Sequence, residues 1–248
     1  DIMDPDGRPY LHTDTVGSRG EPVIGRGEIC MRGPCVSSGY YKMPKRTKEE
    51  YDDEGYFHTG DIGQFTSPDG VIRIVDRKKN LIKLKGGEYV AVEAMEIAFV
   101  SSPFVQAACV VADGDLDAPF AIVRADNDFL RKWAEEQRIE IASPASPSSS
   151  GGRSESAPVD ETTPLKGITL QDLARREETR RAVVRSMIEV GKDAGLTALE
   201  LRMKDCVVVA DVEWGPGRGY TATMKIDRRQ IRKMHADELA VMLKRNGY

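Results

Sequence analysis

Two stretches decide the fold prediction: Tyr56-Phe57-His58-Thr59-Gly60-Asp61, and then Val75-Asp76-Arg77-Lys78-Lys79-Asn80-Leu81-Ile82-Lys83-Leu84-Lys85-Gly86-Gly87-Glu88. Together they contain a Thr-Gly-Asp turn, a basic segment and a double glycine. Between residues 73 and 85 there are six Lys or Arg and one acid, whereas the whole chain has a net charge of −4. A local positive segment in an acidic protein indicates an anionic ligand such as phosphate. The alternative is a solvated charged hairpin, which has the same composition.

Length and composition limit the classes of protein to which the chain can belong. With 248 residues and 40% hydrophobic content, it can form one large domain or two small ones. The net negative charge argues against a general nucleic-acid-binding protein. No apolar run approaches the ~18–20 residues of a membrane span, and no secretory signal is present. We therefore predict an intracellular protein.

The cysteines and histidines do not indicate a metal site. Cys30, Cys35, Cys109 and Cys206 lack the spacing of metal ligands. In an intracellular protein we expect reduced thiols, with a disulfide as the alternative. His58 has no partner at ligand spacing, and no nucleophile with an adjacent base is visible in the sequence.

The pattern of apolar residues and turn signals predicts an α+β fold in two parts. Residues 1–77 are predicted to be rich in strands, with a hairpin around Ser67-Pro68-Asp69-Gly70. From residue 78 onward, buried strands and amphipathic helices indicate a compact α+β domain. One helix is predicted to run from Glu88 to about Ser101, with Ala94, Ile97 and Ala98 on its buried face. Further helices are predicted to begin at Asp126, Thr169 and Asp227.

A Ser/Pro-rich segment interrupts the second part. Residues 142–164 contain seven Ser, four Pro and no aromatic residue. Such a composition buries too little apolar surface to offset the entropy lost on ordering. We predict a disordered surface insertion at about 142–166.

Asp61 and Arg77 are candidate nucleotide-binding residues. A carboxylate after Thr59-Gly60 can accept hydrogen bonds from vicinal hydroxyls, as on a ribose, although a turn-capping Asp is also common. The predicted hairpin between the two residues would return Arg77 beside Asp61, so that both could contact one ligand. The alternative is an exposed pair between Arg77 and its neighbour Asp76.

Several lysines and glycines are further candidates. Lys79, Lys83 and Lys85 alternate, so on a strand they would share one face and favour an anion there, although lysines also protect strand edges. Gly86-Gly87 allows a ligand to approach the backbone, but tight turns use the same pair. Lys225 follows a glycine-rich loop and could neutralise charge as it develops in a site. The simpler interpretation of Lys225 is a surface lysine at the start of a helix.

The ordered set of motifs resembles the adenylate-forming superfamily. The set is Gly27-Glu28-Ile29, Arg32-Gly33-Pro34, Gly39-Tyr40, Thr59-Gly60-Asp61, Asp76-Arg77-Lys78-Lys79 and Gly86-Gly87-Glu88, with a lysine near the end. Five features are similar to those of eukaryotic-type long-chain fatty acyl-CoA synthetases: Asp76-Arg77-Lys78-Lys79-Asn80-Leu81-Ile82-Lys83, Gly87-Glu88-Tyr89-Val90, the helix of Trp133, Gly191-Lys192-Asp193-Ala194-Gly195-Leu196 and Thr221-Ala222-Thr223-Met224-Lys225. The resemblance covers the chain except residues 8–25 and 142–166.

The resemblance implies a fold and an activity. Residues 1–77 would end a large domain in a β-rich, barrel-like subdomain, and residues 78–248 would form a mobile lid. The enzyme would convert a fatty acid, ATP and coenzyme A into acyl-CoA through an acyl-adenylate. Asp61 and Arg77 would bind the nucleotide, and Lys79 would be the hinge. Lys225 would bridge the carboxylate and the α-phosphate.

The second reaction step would use a different face of the lid. After adenylation the lid would rotate, withdraw Lys225 and present Lys83, Gly86, Gly87, Glu88 and Tyr89 for thioester formation. Coenzyme A would be a substrate, and Mg²⁺ would bind to residues that precede Asp1. Because fatty acids partition into bilayers, peripheral association with an organelle membrane is compatible with this activity.

The chain also departs from the superfamily pattern. Many relatives have Pro-x-x-Gly-Lys at the last motif, where this chain has Ala222 and Met224. No phosphate-binding loop and no fatty-acid tunnel segment is present. We therefore expect a C-terminal fragment that cannot form acyl-adenylate alone. Two alternatives stay open: another acyl- or aryl-CoA ligase, and a non-catalytic module that binds a nucleotide or a partner.

Overall fold

The computed structural model describes residues 9–17, 20–141 and 168–248, apart from the side chain of Asp76. The insertion predicted at about 142–166 lies outside the described residues. In the described parts, helices and strands form the mixed arrangement that the sequence predicts.

The first part of the chain forms a three-stranded antiparallel sheet. Strand β1 (Arg26–Met31) is followed by helix α1 (Pro44–Glu50), strand β2 (Phe57–Phe65) and strand β3 (Ile72–Arg77). The strand order is β1-β2-β3. The predicted hairpin between β2 and β3 is therefore confirmed.

A short linking region joins this sheet to the rest of the chain. A 3-10 turn (Lys78–Asn80) leads into an antiparallel hairpin of β4 (Leu81–Lys83) and β5 (Tyr89–Ala91). Helix α2 (Val92–Phe99) follows. The predicted helix start at Glu88 is wrong, because residues 89–91 pair with β4 and the helix begins only afterwards.

The predicted face of α2 is also partly wrong. Ala98 is buried, but Ile97 is 70% exposed. The buried positions are instead Val92, Met95 and Phe99, which pack in the main core together with Ala98. Val92, Met95 and Phe99 recur at i, i+3 and i+7, so the buried stripe is centred on them and leaves Ile97 on the exposed side.

The remaining elements build a second sheet with helices around it. They are β6 (Val105–Val111), β7 (Phe120–Ala125), α3 (Asn127–Glu136), α4 (Leu170–Arg175), α5 (Glu177–Asp193), β8 (Cys206–Val209), β9 (Gly215–Pro216), β10 (Gly219–Tyr220), α6 (Arg228–Met234) and α7 (Ala236–Arg245). The strand order is β6-β7-β8, with β7 antiparallel to β6 and parallel to β8. The parallel β7–β8 pair requires a crossover connection, and helices α3, α4 and α5 lie in that connection.

Helix starts in this region agree with the sequence. Asp126 accepts a hydrogen bond from the Phe129 N–H, and Thr169 accepts one from the Asp172 N–H. Asp227 caps α6, but the helical C-terminal region is divided at His235 into α6 and α7.

The main hydrophobic core lies in the second part of the chain. It joins α2, the β6-β7-β8 sheet and the helices packed on that sheet, from Leu84 to Met242. A small separate cluster of Ile62, Leu81 and Ala91 connects β2 with the β4–β5 hairpin. Among the described residues, we find no helix with the length and apolar character that a membrane span requires.

Candidate functional site

Asp61 and Arg77 form the centre of the candidate site. The register of β2 and β3 places them directly opposite each other, and Arg77 Nε donates to Asp61 Oδ1 at 2.9 Å. The Arg77 side chain is 59% exposed and that of Asp61 is 23% exposed. The prediction that the hairpin returns Arg77 beside Asp61 is confirmed, and both charged groups remain accessible to a ligand.

The Thr59-Gly60-Asp61 motif lies inside β2 and is not a turn between elements. Glu28 is paired with Ile62 and Cys30 with His58, so one residue of β1 faces three residues of β2. Gly60 has a φ of 71°, which a glycine adopts without steric cost. The motif is therefore a bulge that interrupts the pleat just before Asp61.

Side chains on both strands hold this bulge. Thr59 Oγ1 donates to the Ile29 carbonyl oxygen at 2.8 Å and accepts from the Asp61 N–H at 3.0 Å. The Gly60 N–H donates to Glu28 Oε1 at 3.1 Å. The segment that precedes Asp61 is thus held by two side chains, Thr59 on β2 and Glu28 on β1.

Carboxylates within the chain compensate the three consecutive cations of the basic segment. Besides the Arg77–Asp61 pair, Lys78 Nζ lies 3.5 Å from Glu28 Oε2, and Lys79 Nζ lies 4.0 Å from Glu50 Oε1. These acids come from β2, β1 and α1. The excess of positive charge in the sequence is therefore partly balanced by contacts that only the fold creates, and it argues less strongly for an external anion.

The predicted lysine face does not form. Lys79 belongs to the 3-10 turn, whereas Lys83 ends β4 and Lys85 lies beyond it. The alternation fails because the chain is not extended at residues 78–80. Asn80, which is buried there, donates from Nδ2 to a carboxylate oxygen of Glu93 on α2.

His58 has partners that the sequence analysis missed. Its Nδ1 lies 3.3 Å from Glu28 Oε2 and 3.5 Å from Cys30 Sγ, and its Nε2 lies 3.3 Å from Asp52 Oδ2. Hydrogen bonds, first that from the Tyr56 N–H, lower the pKa of Asp52. Burial and the nearby acids Glu28 and Asp52 raise the pKa of the Cys30 thiol. Periodicity could not reveal these partners, because they come from separate segments.

A cleft adjoins the bulge and the basic segment. It has a volume of about 650 Å³ and opens between α1 and the start of β2. Its lining includes His58, Thr59, Gly60, Arg77, Lys78 and Lys79. The predicted nucleotide-binding arginine and the predicted hinge lysine therefore border one space large enough for a small ligand.

The residues predicted for thioester formation lie in one hairpin. Lys83 pairs with Tyr89, and its ammonium lies 5.9 Å from the centre of the Tyr89 ring. The Gly87 N–H donates to the Leu84 carbonyl oxygen at 2.9 Å, and Gly87 has a φ of 92°. The structure thus brings Lys83, Gly86, Gly87, Glu88 and Tyr89 together, while their role stays a prediction.

Glu200 holds the end of this hairpin. This buried carboxylate accepts from the Ala91 N–H at 3.0 Å and from the Thr197 N–H at 2.8 Å. The first bond fixes the junction of β5 and α2, where no side chain of α2 itself provides a cap.

Lys225 closes a tight turn that begins at Thr221. Its backbone N–H donates to Thr221 Oγ1 at 3.2 Å, and its carbonyl oxygen accepts from the Thr221 N–H at 2.8 Å. Met224, immediately before it, has a φ of 59°. Lys225 is exposed, as expected for a residue whose side chain reaches a site from a loop.

Two anchors of the Lys225 turn were not recognised in the sequence. Gln230 accepts from the Gly219 N–H at 2.6 Å and donates from Nε2 to the Gly217 carbonyl oxygen at 2.5 Å. Arg228 donates from Nε to the buried Glu96 at 2.8 Å. Burial raises the pKa of Glu96, and the hydrogen bonds from Arg228 offset part of that effect. Gln230 therefore fixes the loop that precedes the Lys225 turn to α6, and Arg228 fixes α6 to α2.

The four cysteines are free thiols in two kinds of environment. Cys30 and Cys35 are exposed free thiols, and Cys109 and Cys206 are buried free thiols. Within residues 9–17, 20–141 and 168–248, no group of three or more His, Cys, Asp or Glu side chains is arranged to hold a metal ion.

Comparisons with known proteins identify the relatives of this chain. It is 33% identical over 222 residues to long chain acyl-CoA synthetase 6, peroxisomal, of Arabidopsis thaliana, covering 90% of this chain and 28% of that protein. It is 34% identical over 215 residues to long-chain-fatty-acid–CoA ligase 1 of Schizosaccharomyces pombe, covering 86% of this chain and 28% of that protein. The chain is a relative of the long-chain acyl-CoA synthetases. No protein-family model matches it.

Solved structures agree with this relationship at the level of the fold. The A domain of a carboxylic acid reductase from Segniliparus rugosus, in complex with AMP and a co-purified carboxylic acid, has a TM-score of 0.70 at 21% identity, covering 100% of this chain and 31% of that one. The adenylation domain of a carboxylate reductase from Mycobacterium chelonae has a TM-score of 0.64 at 22% identity, covering 98% and 30%. Like these structures, the curated synthetases are much longer, and the chain spans 28% of the two named above.

Proposed function

We propose that this chain is the C-terminal part of a long-chain fatty acid–CoA ligase that forms AMP. The observation that carries the proposal is the Asp61–Arg77 pair at 2.9 Å: Asp61 follows a fixed bulge, and Arg77 lines the cleft. The likeness to long-chain acyl-CoA synthetases supports the reaction class. Residues 1–77 would end a large domain in a barrel-like subdomain, and residues 78–248 would be a mobile lid.

In the first half-reaction the fatty-acid carboxylate attacks the α-phosphorus of ATP and pyrophosphate leaves. Asp61 accepts hydrogen bonds from the ribose hydroxyls, and Arg77 lies beside it. The accessibility of both side chains supports this role. Lys225 bridges the carboxylate and the α-phosphate, so its ammonium stabilises charge that grows in the transition state.

In the second half-reaction the thiol of coenzyme A attacks the acyl carbonyl and AMP leaves. The lid rotates about Lys79, withdraws Lys225 and presents the β4–β5 hairpin, whose tip carries Gly86, Gly87 and Glu88. The exposed position of Lys79, whose side chain is 85% accessible, is compatible with a hinge. Lys225 thus acts in the first half-reaction, and Lys79 acts in the rotation that precedes the second.

The substrates are a fatty acid, ATP and coenzyme A. Mg²⁺ would neutralise charge on the phosphates of ATP, and its ligands are assigned to residues outside this chain. The location is intracellular and peripheral to an organelle membrane, because the fatty acid partitions into bilayers. None of the described residues is assigned to a nucleic acid.

The test compares Lys225→Ala with Lys204→Ala in the full-length gene product. Lys204, whose ammonium lies 3.7 Å from the exposed Asp117, is a control for the loss of a surface lysine. Fatty-acid-dependent pyrophosphate release should fall roughly 10²–10³-fold in Lys225→Ala and stay unchanged in Lys204→Ala. Unchanged pyrophosphate release in Lys225→Ala would contradict the proposal. The 248-residue chain alone should release no pyrophosphate above background.

A further inference from the structure

We propose that Glu28 is a positioning residue for the nucleotide site: it holds the Gly60 bulge so that Asp61 lies beside Arg77. The inference rests on the proposed role of Asp61 in binding the nucleotide. Glu28 has no role in the motif-based assignment above, where it appears only as part of Gly27-Glu28-Ile29.

The two carboxylate oxygens of Glu28 have different partners. Oε1 accepts from the Gly60 N–H at 3.1 Å. Oε2 lies 3.3 Å from His58 Nδ1 and 3.5 Å from Lys78 Nζ. The side chain is only 14% exposed, so these contacts replace most of its hydration. One carboxylate therefore contacts β2 on both sides of Thr59 and also the residue after Arg77.

The bond to Gly60 acts where the strand is irregular. In a regular antiparallel pair the main chain of β1 would satisfy the β2 N–H groups in register, but the bulge disrupts the ladder there. At this point the partner of β1 on β2 changes from Ile62, opposite Glu28, to His58, opposite Cys30. The Glu28 side chain supplies the acceptor for the Gly60 N–H, and Asp61 is the next residue.

The charge of Glu28 acts on the other side of the site. Arg77, Lys78 and Lys79 are three consecutive cations that repel one another. Glu28 compensates the middle one and so helps to keep the end of β3 beside β2. Asp61 and Arg77 are thus positioned from one partly buried carboxylate, through Gly60 on one strand and through Lys78 on the other.

The experiment compares Glu28→Leu, Glu28→Gln and Asp52→Asn in the full-length gene product. Glu28→Gln keeps an oxygen acceptor for the Gly60 N–H. Asp52→Asn removes the carboxylate on the other side of His58 and leaves Glu28 in place, so it is the matched control. We measure the KM for ATP and for the fatty acid, and the hydrogen exchange of residues 57–63 by mass spectrometry.

We expect Glu28→Leu to raise the KM for ATP roughly tenfold, in line with the loss of one hydrogen bond to a charged group, and to speed the exchange of residues 57–63. The KM for the fatty acid should not change. Glu28→Gln should raise the KM for ATP less, roughly twofold to threefold, because the bond to Gly60 can persist while the charge that compensates Lys78 is lost. Asp52→Asn should match the wild type in both measurements.

Thr59→Val gives a second route to the same conclusion, because it removes the other side-chain bonds of the bulge. The inference is overturned if Glu28→Leu, or Thr59→Val should Glu28→Leu not fold, leaves the KM for ATP and the exchange unchanged. It is also overturned if Glu28→Gln is as impaired as Glu28→Leu. If Asp61→Ala leaves the KM for ATP unchanged, the nucleotide role of Asp61 fails instead, and the exchange of residues 57–63 still decides whether Glu28 holds the bulge.

Discussion

Replacing Asp205 with Asn should destabilise the protein more than any exposed charge change. Asp205 is 9% exposed and lies just before β8. It accepts from Arg180 Nε at 3.1 Å, from Arg245 Nε at 2.9 Å and from Asn246 Nδ2 at 3.1 Å. One carboxylate therefore ties α5 and the end of α7 to the sheet.

The magnitude follows from what the substitution leaves behind. An Asn in this place presents an amide NH₂ group where Oδ1 or Oδ2 now accepts, and two guanidinium groups lose their counter-charge. Removing one partner of a buried ion pair costs about 3–5 kcal/mol. The Arg245 side chain is 40% exposed, so water screens its share. We expect a loss of about 2–4 kcal/mol in the free energy of unfolding, a large part of the ~5–15 kcal/mol of a typical domain.

The loss should depend on pH in a defined direction. Burial raises the pKa of Asp205, but hydrogen bonds, first those from Arg245, outweigh it, so the pKa lies below its ordinary value of 3.8. A carboxyl with a lowered folded-state pKa contributes stability that is present above the unfolded pKa and lost as the pH falls through the folded pKa. The gap between wild type and Asp205→Asn should be full above pH 3.8 and shrink below it.

Urea unfolding followed by far-UV circular dichroism measures this gap. Asp117→Asn is the control, because the Asp117 side chain lies in an exposed pair with Lys204, and the variant should lose less than about 1 kcal/mol in unfolding free energy. A loss below about 1 kcal/mol for Asp205→Asn, or a gap that stays constant into the acid range, would refute the reasoning.

Two more outcomes are expected from the structure. Gly219→Ala should cost about 2–3 kcal/mol in unfolding free energy, because Gly219 has a φ of 99° and an added Cβ would lie 3.1 Å from Trp214. The control is Gly217→Ala, which should cost about 1 kcal/mol, because Gly217 has a φ of 73° but no atom within 4 Å of an added Cβ. Equal losses for the two variants in urea titrations would contradict the steric argument. Iodoacetamide at neutral pH should label the exposed Cys35 in the native protein but not Cys109, because burial shields Cys109 and raises its pKa to about 12. Mass spectrometry measures the labelling, and labelling of Cys109 without denaturant would contradict this expectation.

Local signals predicted many of the elements correctly. Asp126, Thr169 and Asp227 mark helix starts because their side chains satisfy N–H groups of the first turn, a requirement that depends on neighbouring residues only. The hairpin around Ser67-Pro68-Asp69-Gly70 was predictable for the same reason. The predicted hairpin also placed Arg77 beside Asp61 correctly, because the two residues lie on its two strands.

Local signals were insufficient where two elements compete for the same residues. The sequence predicts a helix over residues 89–91, but their pairing with β4 makes them a strand. Lys79, Lys83 and Lys85 alternate in sequence, yet the buried Asn80 and its bond to Glu93 hold a 3-10 turn there. In both cases the deciding partner belongs to another segment.

The sequence by itself determined the order of the motifs, the caps and turns, and the likeness to long-chain acyl-CoA synthetases, because each of these depends on residues close together in the chain. Only the tertiary structure decided how the charges of the site are arranged. Glu28 and Glu50 meet Lys78 and Lys79 from β1 and α1, and Thr59-Gly60-Asp61 is a bulge inside β2. Such contacts arise from the register of strands and the packing of helices, which no local pattern specifies.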